Sequence, residues 1–355
     1  MKKILILGVS GFIGSHLAQK MIKQGHHVRG VDLKHNQFFP TGGMEFIIGD
    51  LRDPKVVETV FDWDLDEVYQ LAALMGGAGY VFSGQNDADI FYSSALINLN
   101  VVNTAKNKRA KKIFFSSSAC AYSQDFQSDS KNNPLSENMA YPANPDSDYG
   151  FEKLMSERLY QAYARNYGLN IRIARFHNIY GNHGIFYTGK EKAPAAMVRK
   201  AIIAKLDNKE TIDVWGTGEQ VRSFLYIDDC LDAVELLMAS EHIDPINIGS
   251  AEFISINDLA RMAISFTGRD IKINNIDGPV GVAGRSSDNT LVEEVLKWSP
   301  EISLKKGMEK LYKWMSKEFK TMPIIYERNP DTNVIQRSVT DRNFPNKQYR
   351  HYLKS

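Results

Sequence analysis

The feature that most constrains the fold of this chain is a glycine-rich turn close to its N-terminus. The segment GVSGFIG at residues 8–14 follows a short apolar run, Ile4–Leu7, and precedes a stretch with helical spacing, Gly14–Lys23. A strand, a glycine turn and a helix in this order are typical of the first unit of a dinucleotide-binding fold. Its glycines let the backbone approach a pyrophosphate at the helix N-terminus. Asp32 ends the next apolar run, where a carboxylate can accept hydrogen bonds from both ribose hydroxyls.

The acidic residue also indicates which dinucleotide binds. A carboxylate at Asp32 repels a 2′-phosphate, so the sequence predicts NAD rather than NADP. Asp50 and Leu51 follow the third apolar run and are expected near the adenine. A helix-capping loop with a solvated aspartate is the structural alternative. The residues predicted to bind the cofactor through this unit are Gly8, Gly11, Phe12, Ile13, Gly14, Asp32, Asp50 and Leu51.

Short apolar runs alternate with amphipathic stretches through the first half of the chain. The predicted strands are Ile4–Leu7, His27–Asp32, Glu45–Ile48, Glu67–Leu71, Lys112–Ser116 and Asn170–Arg175. This rhythm predicts an α/β fold with a Rossmann-type, doubly wound parallel sheet. We expect an NAD-binding domain at 1–180 with a return segment near 224–248, a smaller substrate-binding domain mainly at 181–320, and an extended tail at 321–355.

Composition limits the partners and the compartment. The chain has 355 residues and a formal net charge of +1, so no global charge favours nucleic acid or an anionic membrane as a partner. Two cysteines are too few for a disulfide framework and fit a reducing, cytoplasmic location. The apolar start stops at Gly8, which indicates a buried strand rather than a signal peptide, and no run is long enough to span a bilayer. No metal site is predicted.

A serine, a tyrosine and a lysine form the second chemical motif. Tyr149 and Lys153 are four residues apart, so on a helix they share a face and the ammonium favours the phenolate. Tyrosine in water has a pKa of about 10 and is a poor base at neutral pH, which is why the lysine is needed. Lys153 would also bind the nicotinamide ribose, and Ser118 would orient a sugar hydroxyl. By itself such a pair is more often a surface pair, but the dinucleotide motif favours oxidation of a carbinol.

Cys120 stands two residues after Ser118 and suggests a second reaction. A thiol can be tuned by burial and neighbouring charge towards proton transfer at neutral pH. Cys230, in contrast, lies in an apolar helical pattern and is expected to be a core residue.

The chain resembles the extended short-chain dehydrogenase/reductase family of sugar-nucleotide enzymes over residues 1–315. Within it, the similarity is greatest to epimerases that act on C3 and C5 of a GDP-hexose such as GDP-mannose. The segments that carry the resemblance are MGG at 75–77, SSAC at 117–120, YGFEK at 149–153, RFHNIYG at 175–181, EKAPAA at 191–196, WGTG at 215–218, QVRSF at 220–224, INIGS at 246–250 and GRSSDN at 284–289. SSAC and EKAPAA are the most specific of these.

The resemblance implies a reaction and a set of residues. Tyr149 would act as base while NAD accepts a hydride from C4, and the C4 ketone would then acidify the protons on C3 and C5. Cys120 and Lys192 occupy the family's acid/base positions. The substrate-binding residues implied are Gly77, Ser118, Asn178, Glu191, Lys192, Ala193, Lys200, Trp215, Gln220, Arg222 and Arg285. The two arginines have the charge and fork geometry to hold a diphosphate, whereas Trp215 is as compatible with a core position as with base stacking.

Departures from the family pattern leave alternatives open. Residues 78–82 differ from the pattern, Ala283 stands where a second arginine is expected, and Asn182-His183 resembles the related GDP-fucose synthases. Those enzymes use NADPH and a Cys/His pair to epimerise a 4-keto sugar and then reduce it, and Asp32 argues against that reading. A 4,6-dehydratase would carry an acidic pair at Ala119-Cys120, and a simple C4-epimerase would not need the thiol. A non-catalytic NAD-sensing scaffold is the alternative from another class.

Two helical stretches bear on assembly. Phe91–Lys108 has apolar residues on more than one face, and with Tyr149–Asn166 it could form a homodimer interface. Burial within one chain explains the pattern as well.

Overall fold

The computed structural model describes residues 1–129, 134–187 and 191–321, together with the backbone of 324–328 and 335–339. No helix within these ranges has both the length and the apolarity that a membrane-spanning segment requires.

The described residues form sixteen strands. In chain order they are β1 (Lys3–Leu7), β2 (His27–Asp32), β3 (Met44–Ile48), β4 (Glu67–Gln70), β5 (Ile113–Ser118), β6 (Ile171–Phe176), β7 (Ile179–Tyr180), β8 (Thr211–Trp215), β9 (Val221–Ser223), β10 (Leu225–Tyr226), β11 (Ile246–Ile248), β12 (Phe253–Ser255), β13 (Lys272–Ile276), β14 (Gly284–Arg285), β15 (Ile324–Arg328) and β16 (Ile335–Val339).

The helices of the same residues follow the spacing of their apolar positions. They are α1 (Phe12–Lys23), α2 (Pro54–Val60), α3 (Ala78–Val81), α4 (Asp87–Asn107), α5 (Asp148–Tyr167), α6 (Ala193–Leu206), α7 (Ile227–Ala239), α8 (Ile256–Ser265), α9 (Thr290–Leu296) and α10 (Leu304–Thr321). A single 3₁₀ turn, Ala119–Ala121, follows β5 directly.

Seven strands form one parallel sheet in the order β11-β6-β5-β4-β1-β2-β3. The chain runs from β1 outward to β3 and then restarts on the other side of β1 with β4. This reversal between β1 and β4 is the point at which doubly wound sheets bind their ligands, at the carboxyl ends of the strands. The predicted fold class is therefore confirmed.

The two faces of β1 show how the layers are held together. Ile4 and Ile6 are fully buried in a core that includes α1, α6, α7, α8 and α10. Leu5 and Leu7, which point to the opposite face, are fully buried against α2, α4 and α5. Each such side chain contributes about 1.5–3 kcal/mol of burial, so both helical layers are anchored on the same strand.

The chain returns to the sheet after a long excursion. β11 adds to its edge beside β6, with Ile246 opposite Ala174. It lies within the return segment expected near 224–248. Between β7 and the end of α10 the chain also forms two small sheets, β12-β9-β14 and β13-β8. In the first of these, β14 pairs with β9 and brings Arg285 beside Arg222.

The C-terminal stretch begins with a strand pair. β15 and β16 are antiparallel, with Ile324 opposite Val339. The rest of the predicted tail at 321–355 lies outside the described residues, apart from Thr321 at the end of α10.

Candidate active site

The residues predicted to carry function follow the carboxyl ends of neighbouring strands. Gly8 comes after β1, Asp32 ends β2, and Ser118 ends β5. Because these strands are parallel and adjacent, their carboxyl ends meet at one edge of the sheet. The fold therefore gathers both predicted motifs at the reversal point.

The glycine turn is shaped by close approaches of the backbone. Gly8 has φ +83°, and a Cβ there would lie 2.8 Å from the backbone of Ala72. A Cβ on Gly14 would overlap the carbonyl oxygen of Gly8. Side chains are thus excluded from the turn, and α1 begins at Phe12 directly behind it. Its first amides have no partner within the helix and can bind an anion, so the turn fits the pyrophosphate of a dinucleotide.

Asp32 is held beside this turn by the backbone. Its Oδ2 accepts a hydrogen bond from the amide of Ser10 at 2.9 Å, and its Oδ1 accepts one from the amide of Leu33 at 2.8 Å. Burial raises the pKa of the Asp32 carboxyl, and the Ser10 and Leu33 hydrogen bonds oppose that effect. Each carboxylate oxygen retains acceptor capacity for a ribose hydroxyl.

The residues expected near the adenine have different surroundings. Asp50 pairs with Arg52, whose Nη2 donates to Asp50 Oδ2 at 2.6 Å, and this guanidinium lowers the pKa of the Asp50 carboxyl. Leu51 is buried in the apolar core between the sheet and α4. Phe12 and Ile13 are half-buried at the start of α1.

Tyr149 lies in the first turn of α5, close to the segment that follows β5. Ser147 caps the helix by accepting a hydrogen bond from the amide of Gly150 at 3.3 Å. A Cβ on Gly150 would overlap the carbonyl oxygen of Cys120, so glycine is required for the helix to approach this closely. Burial is the main cause that raises the pKa of the Tyr149 phenol, the charge of Cys120 adds to it, and a hydrogen bond with Ser118 opposes it.

Lys153 is buried one turn further along α5. Its Nζ donates to the carbonyl oxygen of Ser116 at 2.9 Å and lies 5.7 Å from the centre of the Tyr149 ring. Burial lowers the pKa of the Lys153 ammonium, while the nearby carboxylates of Glu152 and Glu157 oppose the shift. The cation is therefore fixed beside the phenol, as the i, i+4 spacing predicted.

Cys120 lies in the 3₁₀ turn after β5, and Ser118 caps that turn by accepting a hydrogen bond from the Cys120 amide at 3.2 Å. The Nη1 of Arg285 lies 3.1 Å from Cys120 Sγ, so the guanidinium donates to the sulfur. Arg285 was expected to hold a diphosphate. Its other nitrogens donate to Gln127 Oε1 at 2.5 Å and to Asp146 Oδ2 at 2.7 Å.

Lys192 and Glu191 stand immediately before α6. Burial lowers the pKa of the Lys192 ammonium, whereas the sulfur of Cys120, close enough to interact, opposes the shift. Glu191 accepts hydrogen bonds from Arg199 through Oε1. Its other carboxylate oxygen is buried and has no partner, which marks a place for a hydroxyl donor.

Arg222 is a buried cation surrounded by carbonyl oxygens. Its Nη2 donates to Val282 O at 2.7 Å and to Val280 O at 3.1 Å. Burial, followed by the charge of Arg285, lowers the pKa of Arg222 to about 10. Such an environment disfavours the cation unless an anion arrives, so Arg222 is suited to a diphosphate.

The remaining predicted substrate residues lie further out. Lys200 Nζ is 5.9 Å from the centre of the Trp215 ring, and that ring is 39% exposed. Gln220 donates to the carbonyl oxygen of Trp215 at 3.2 Å. Asn178 donates to Ser223 O at 3.0 Å, Ala193 begins α6, and Gly77 immediately precedes α3.

His183 and Cys230 lie outside this constellation. His183 packs against Phe39 and Trp314, with ring centres 4.7 and 5.2 Å apart, on the far side of α1. Cys230 is fully buried in the core, as expected for a small apolar residue, and burial raises the pKa of its thiol.

Two residues that contact the predicted site were missed by the sequence analysis. Asp146 and Gln127 hold Arg285, but they are 139 and 158 residues away from it in the chain. No motif contains either of them, and only the three-dimensional fold brings them together.

Comparison with known proteins places the chain among sugar-nucleotide enzymes. A sequence profile of the NAD dependent epimerase/dehydratase family matches residues 4–249. The chain is 41% identical over 322 residues to a GDP-mannose 3,5-epimerase of Arabidopsis thaliana, an alignment that covers 89% of this chain and 82% of the relative. It is 40% identical, with the same coverage, to GDP-mannose 3,5-epimerase 1 of Oryza sativa subsp. indica.

Solved structures show the same architecture. UDP-glucose 4-epimerase of Thermotoga maritima, solved with UDP-glucose, has a TM-score of 0.79 at 26% identity and covers 89% of this chain and 99% of its own. UDP-glucuronic acid 4-epimerase of Bacillus cereus, solved with NAD, has a TM-score of 0.72 at 26% identity with the same coverage. The fold, the site geometry and these similarities together show that the chain belongs to the NAD dependent epimerase/dehydratase family, the extended short-chain dehydrogenase/reductases, and within it to the GDP-mannose 3,5-epimerases.

Proposed function

We propose that the protein inverts C3 and C5 of GDP-mannose through a transient C4 ketone, giving GDP-L-galactose and GDP-L-gulose. The observation that carries this proposal is the grouping of Cys120 and Lys192 with Tyr149, since two titratable groups beyond the tyrosine are what inversion next to a ketone requires. The names of the relatives at 40–41% identity support the same substrate.

The glycine turn and Asp32 support NAD as the cofactor of this NAD dependent family. The first amides of α1, at Phe12 and Ile13, would hold the pyrophosphate, and Asp32 and Lys153 would bind the two riboses. When bound, NAD supplies a reversible acceptor for the hydrogen and two electrons removed from C4.

Tyr149 would take the proton from the C4 hydroxyl. In the protein without ligands its phenol is neutral, because burial disfavours the phenolate. The ammonium of Lys153 beside the ring stabilises the anion as the proton leaves. Ser118, hydrogen-bonded to the phenol, would orient the same hydroxyl group.

Cys120 and Lys192 would then exchange protons at C3 and C5. The ketone acidifies both carbons, and inversion requires removal of a proton from one face and its return on the other. Burial favours the neutral amine of Lys192, which can accept a proton, and Cys120 lies within its electrostatic reach. Each group can serve as base at one face and as acid when the reaction runs back.

The substrate would be held by the charges and acceptors around these groups. Arg222 would pair with the diphosphate, and the free oxygen of Glu191 would accept a hydroxyl hydrogen. The other residues proposed to contact the GDP-hexose are Gly77, Asn178, Ala193, Lys200, Trp215 and Gln220.

The test of this function is the product. We expect the purified protein, with NAD and no added reductant, to convert GDP-mannose into GDP-L-galactose and GDP-L-gulose, identified by NMR. Conversion that consumes NADPH in proportion to product and starts only from a 4-keto sugar would instead identify a GDP-fucose synthase type enzyme.

The cofactor preference gives a prediction for Asp32. We expect NAD to bind at least tenfold more tightly than NADP, because charge-assisted hydrogen bonds contribute about 1.5–3 kcal/mol each and a 2′-phosphate removes them. Asp32→Ala should reduce this preference, whereas Asp50→Ala, at a carboxylate already paired with Arg52, should not. Titration of the four cofactor and variant pairs by calorimetry checks this, and equal affinities of the wild type for NAD and NADP would contradict it.

We propose that the protein forms a homodimer through α4 and α5. These helices pack against each other and leave large apolar side chains exposed, namely Tyr92, Leu99, Phe151 and Met155. Exposed apolar surface of this kind is typical of an interface. Sedimentation should give twice the chain mass of 40.1 kDa, and Leu99→Glu should lower it. A wild-type monomer at micromolar concentration would exclude this interface.

We also propose a cytoplasmic location. Cys120 and Cys230 are both free thiols, which fits a reducing compartment.

A further inference from the structure

We propose that Arg285 is a positioning residue for Cys120, which it orients and favours as a thiolate, and that Gln127 and Asp146 hold it for this task. The inference rests on the proposed function, because it presumes that Cys120 transfers protons. It changes the role expected for Arg285 from binding a diphosphate to preparing the thiol.

The contacts of Arg285 are the first part of the argument. The residue is 5% exposed, and each of its three nitrogens has a different partner. Nη1 donates to Cys120 Sγ at 3.1 Å, Nη2 to Asp146 Oδ2 at 2.7 Å and Nε to Gln127 Oε1 at 2.5 Å. A planar guanidinium with three fixed partners cannot turn away from the sulfur.

Gln127 ties the two halves of this arrangement together. Its side-chain amide donates to the carbonyl oxygens of Tyr122 and Ser123, which follow the turn that carries Cys120. Its backbone carbonyl accepts hydrogen bonds from the amides of Ala283 and Gly284, which precede Arg285. One buried residue therefore sets the distance between the segment that holds the thiol and the segment that holds the arginine.

Asp146 supplies the opposing charge. Its side chain and that of Arg285 are each 6% exposed, and a buried cation without such a partner would be strongly disfavoured. Asp146 also precedes Ser147, the cap of α5, so the same short segment places Tyr149. The arginine is thus oriented from the side of the helix that carries the hydroxyl base.

The chemistry follows from the charge. Burial disfavours a thiolate, whereas an adjacent guanidinium favours it and a hydrogen bond to the sulfur favours it further. Burial lowers the pKa of Arg285, but the charges of Cys120 and Asp146 outweigh burial and raise it, so the cation persists at every working pH. Arg222, whose hydrogen bonds described by the structure go to backbone carbonyls, is left as the arginine for the diphosphate.

The test measures the thiol itself and needs no substrate. Full-length protein is alkylated with iodoacetamide over a range of pH, and modification of Cys120 is followed by mass spectrometry of its peptide. Buried Cys230 serves as an internal control for unfolding. The rate at high pH reports access to the sulfur, and the pH of half-maximal rate reports formation of the thiolate.

We expect Arg285→Gln to move the half-maximal pH upward by about one unit, which slows alkylation about tenfold at neutral pH, and to leave the high-pH rate within about twofold. Arg285→Lys, which keeps the charge without the fork, should recover part of the shift. Gln127→Ala, which keeps the arginine but frees it, should shift the midpoint in the same direction by less. The matched control, Arg222→Gln, removes an equal charge that does not touch the sulfur and should shift the midpoint least.

A wild-type midpoint in folded Arg285→Gln would overturn the inference, and so would equal shifts in Arg285→Gln and Arg222→Gln. If Arg285→Gln does not fold, Gln127→Ala decides, and its unchanged midpoint would count against the role. Either result leaves the proposed function standing, because product formation by the wild type is measured separately.

Discussion

Tyr149→Phe should abolish all chemistry on the sugar, including the exchange of hydrogen at C3 and C5. The substitution removes one oxygen from a buried ring and keeps the packing against Val81 and Ile90. Without the phenol no ketone forms at C4, so the neighbouring protons are never acidified. The loss should be at least the ~10²–10⁴-fold typical of a positioned acid–base group.

The measurement is deuterium uptake into GDP-mannose from heavy water, together with NADH absorbance during a single turnover. Tyr160→Phe is the matched control, because it removes a phenol from the same helix that bonds to Asn98 and not to the site. We expect this control to exchange hydrogen close to the wild-type rate. Exchange at that rate in Tyr149→Phe would refute the role of the phenol.

Cys120→Ala and Lys192→Ala should each suppress inversion by ~10²–10⁴-fold while oxidation at C4 continues. The reason is that Tyr149, Ser118 and Lys153 remain in place when either group is removed. NADH and a 4-keto sugar should therefore accumulate on the enzyme, which ordinary loss of folding would not produce. Rapid quench and NMR identify the keto sugar, and NADH absorbance gives its amount.

His183→Ala and Cys230→Ala are the controls for these two variants. His183 packs against Phe39 and Trp314 rather than against the site, so its removal should leave inversion nearly unchanged. Cys230 is a core thiol, and its loss should affect stability more than rate. Normal inversion by Lys192→Ala together with an inactive His183→Ala would overturn the assignment of the lysine.

The parts of this account that the sequence predicted depend on short-range patterns. The glycines at 8, 11 and 14 and Asp32 lie within one strand–helix–strand unit, so local turn chemistry and the period of apolar residues were sufficient to recognise it. Tyr149 and Lys153 are one helical turn apart, and their shared face follows from the helix alone. For the same reason the predicted inner strands agree with the observed ones to within a residue or two at each end.

The parts that the sequence did not predict depend on contacts across the fold. Arg285 was expected to bind a diphosphate because an arginine in isolation reveals only its charge. Its partners Gln127 and Asp146 come from loops before α5 that carry no motif. The same limit applies to the two small sheets, since β9, β12 and β14 are two or three residues long and leave too little periodicity to read.

The measurement that tests the central claim most directly is the position of deuterium in the products formed from GDP-mannose in heavy water. Inversion next to a transient ketone predicts deuterium at C5 and at C3, none at C4, and no net NADH, because the hydrogen removed from C4 is the one returned to it. Products that carry deuterium at neither C3 nor C5, or that carry it at C4, would contradict the account.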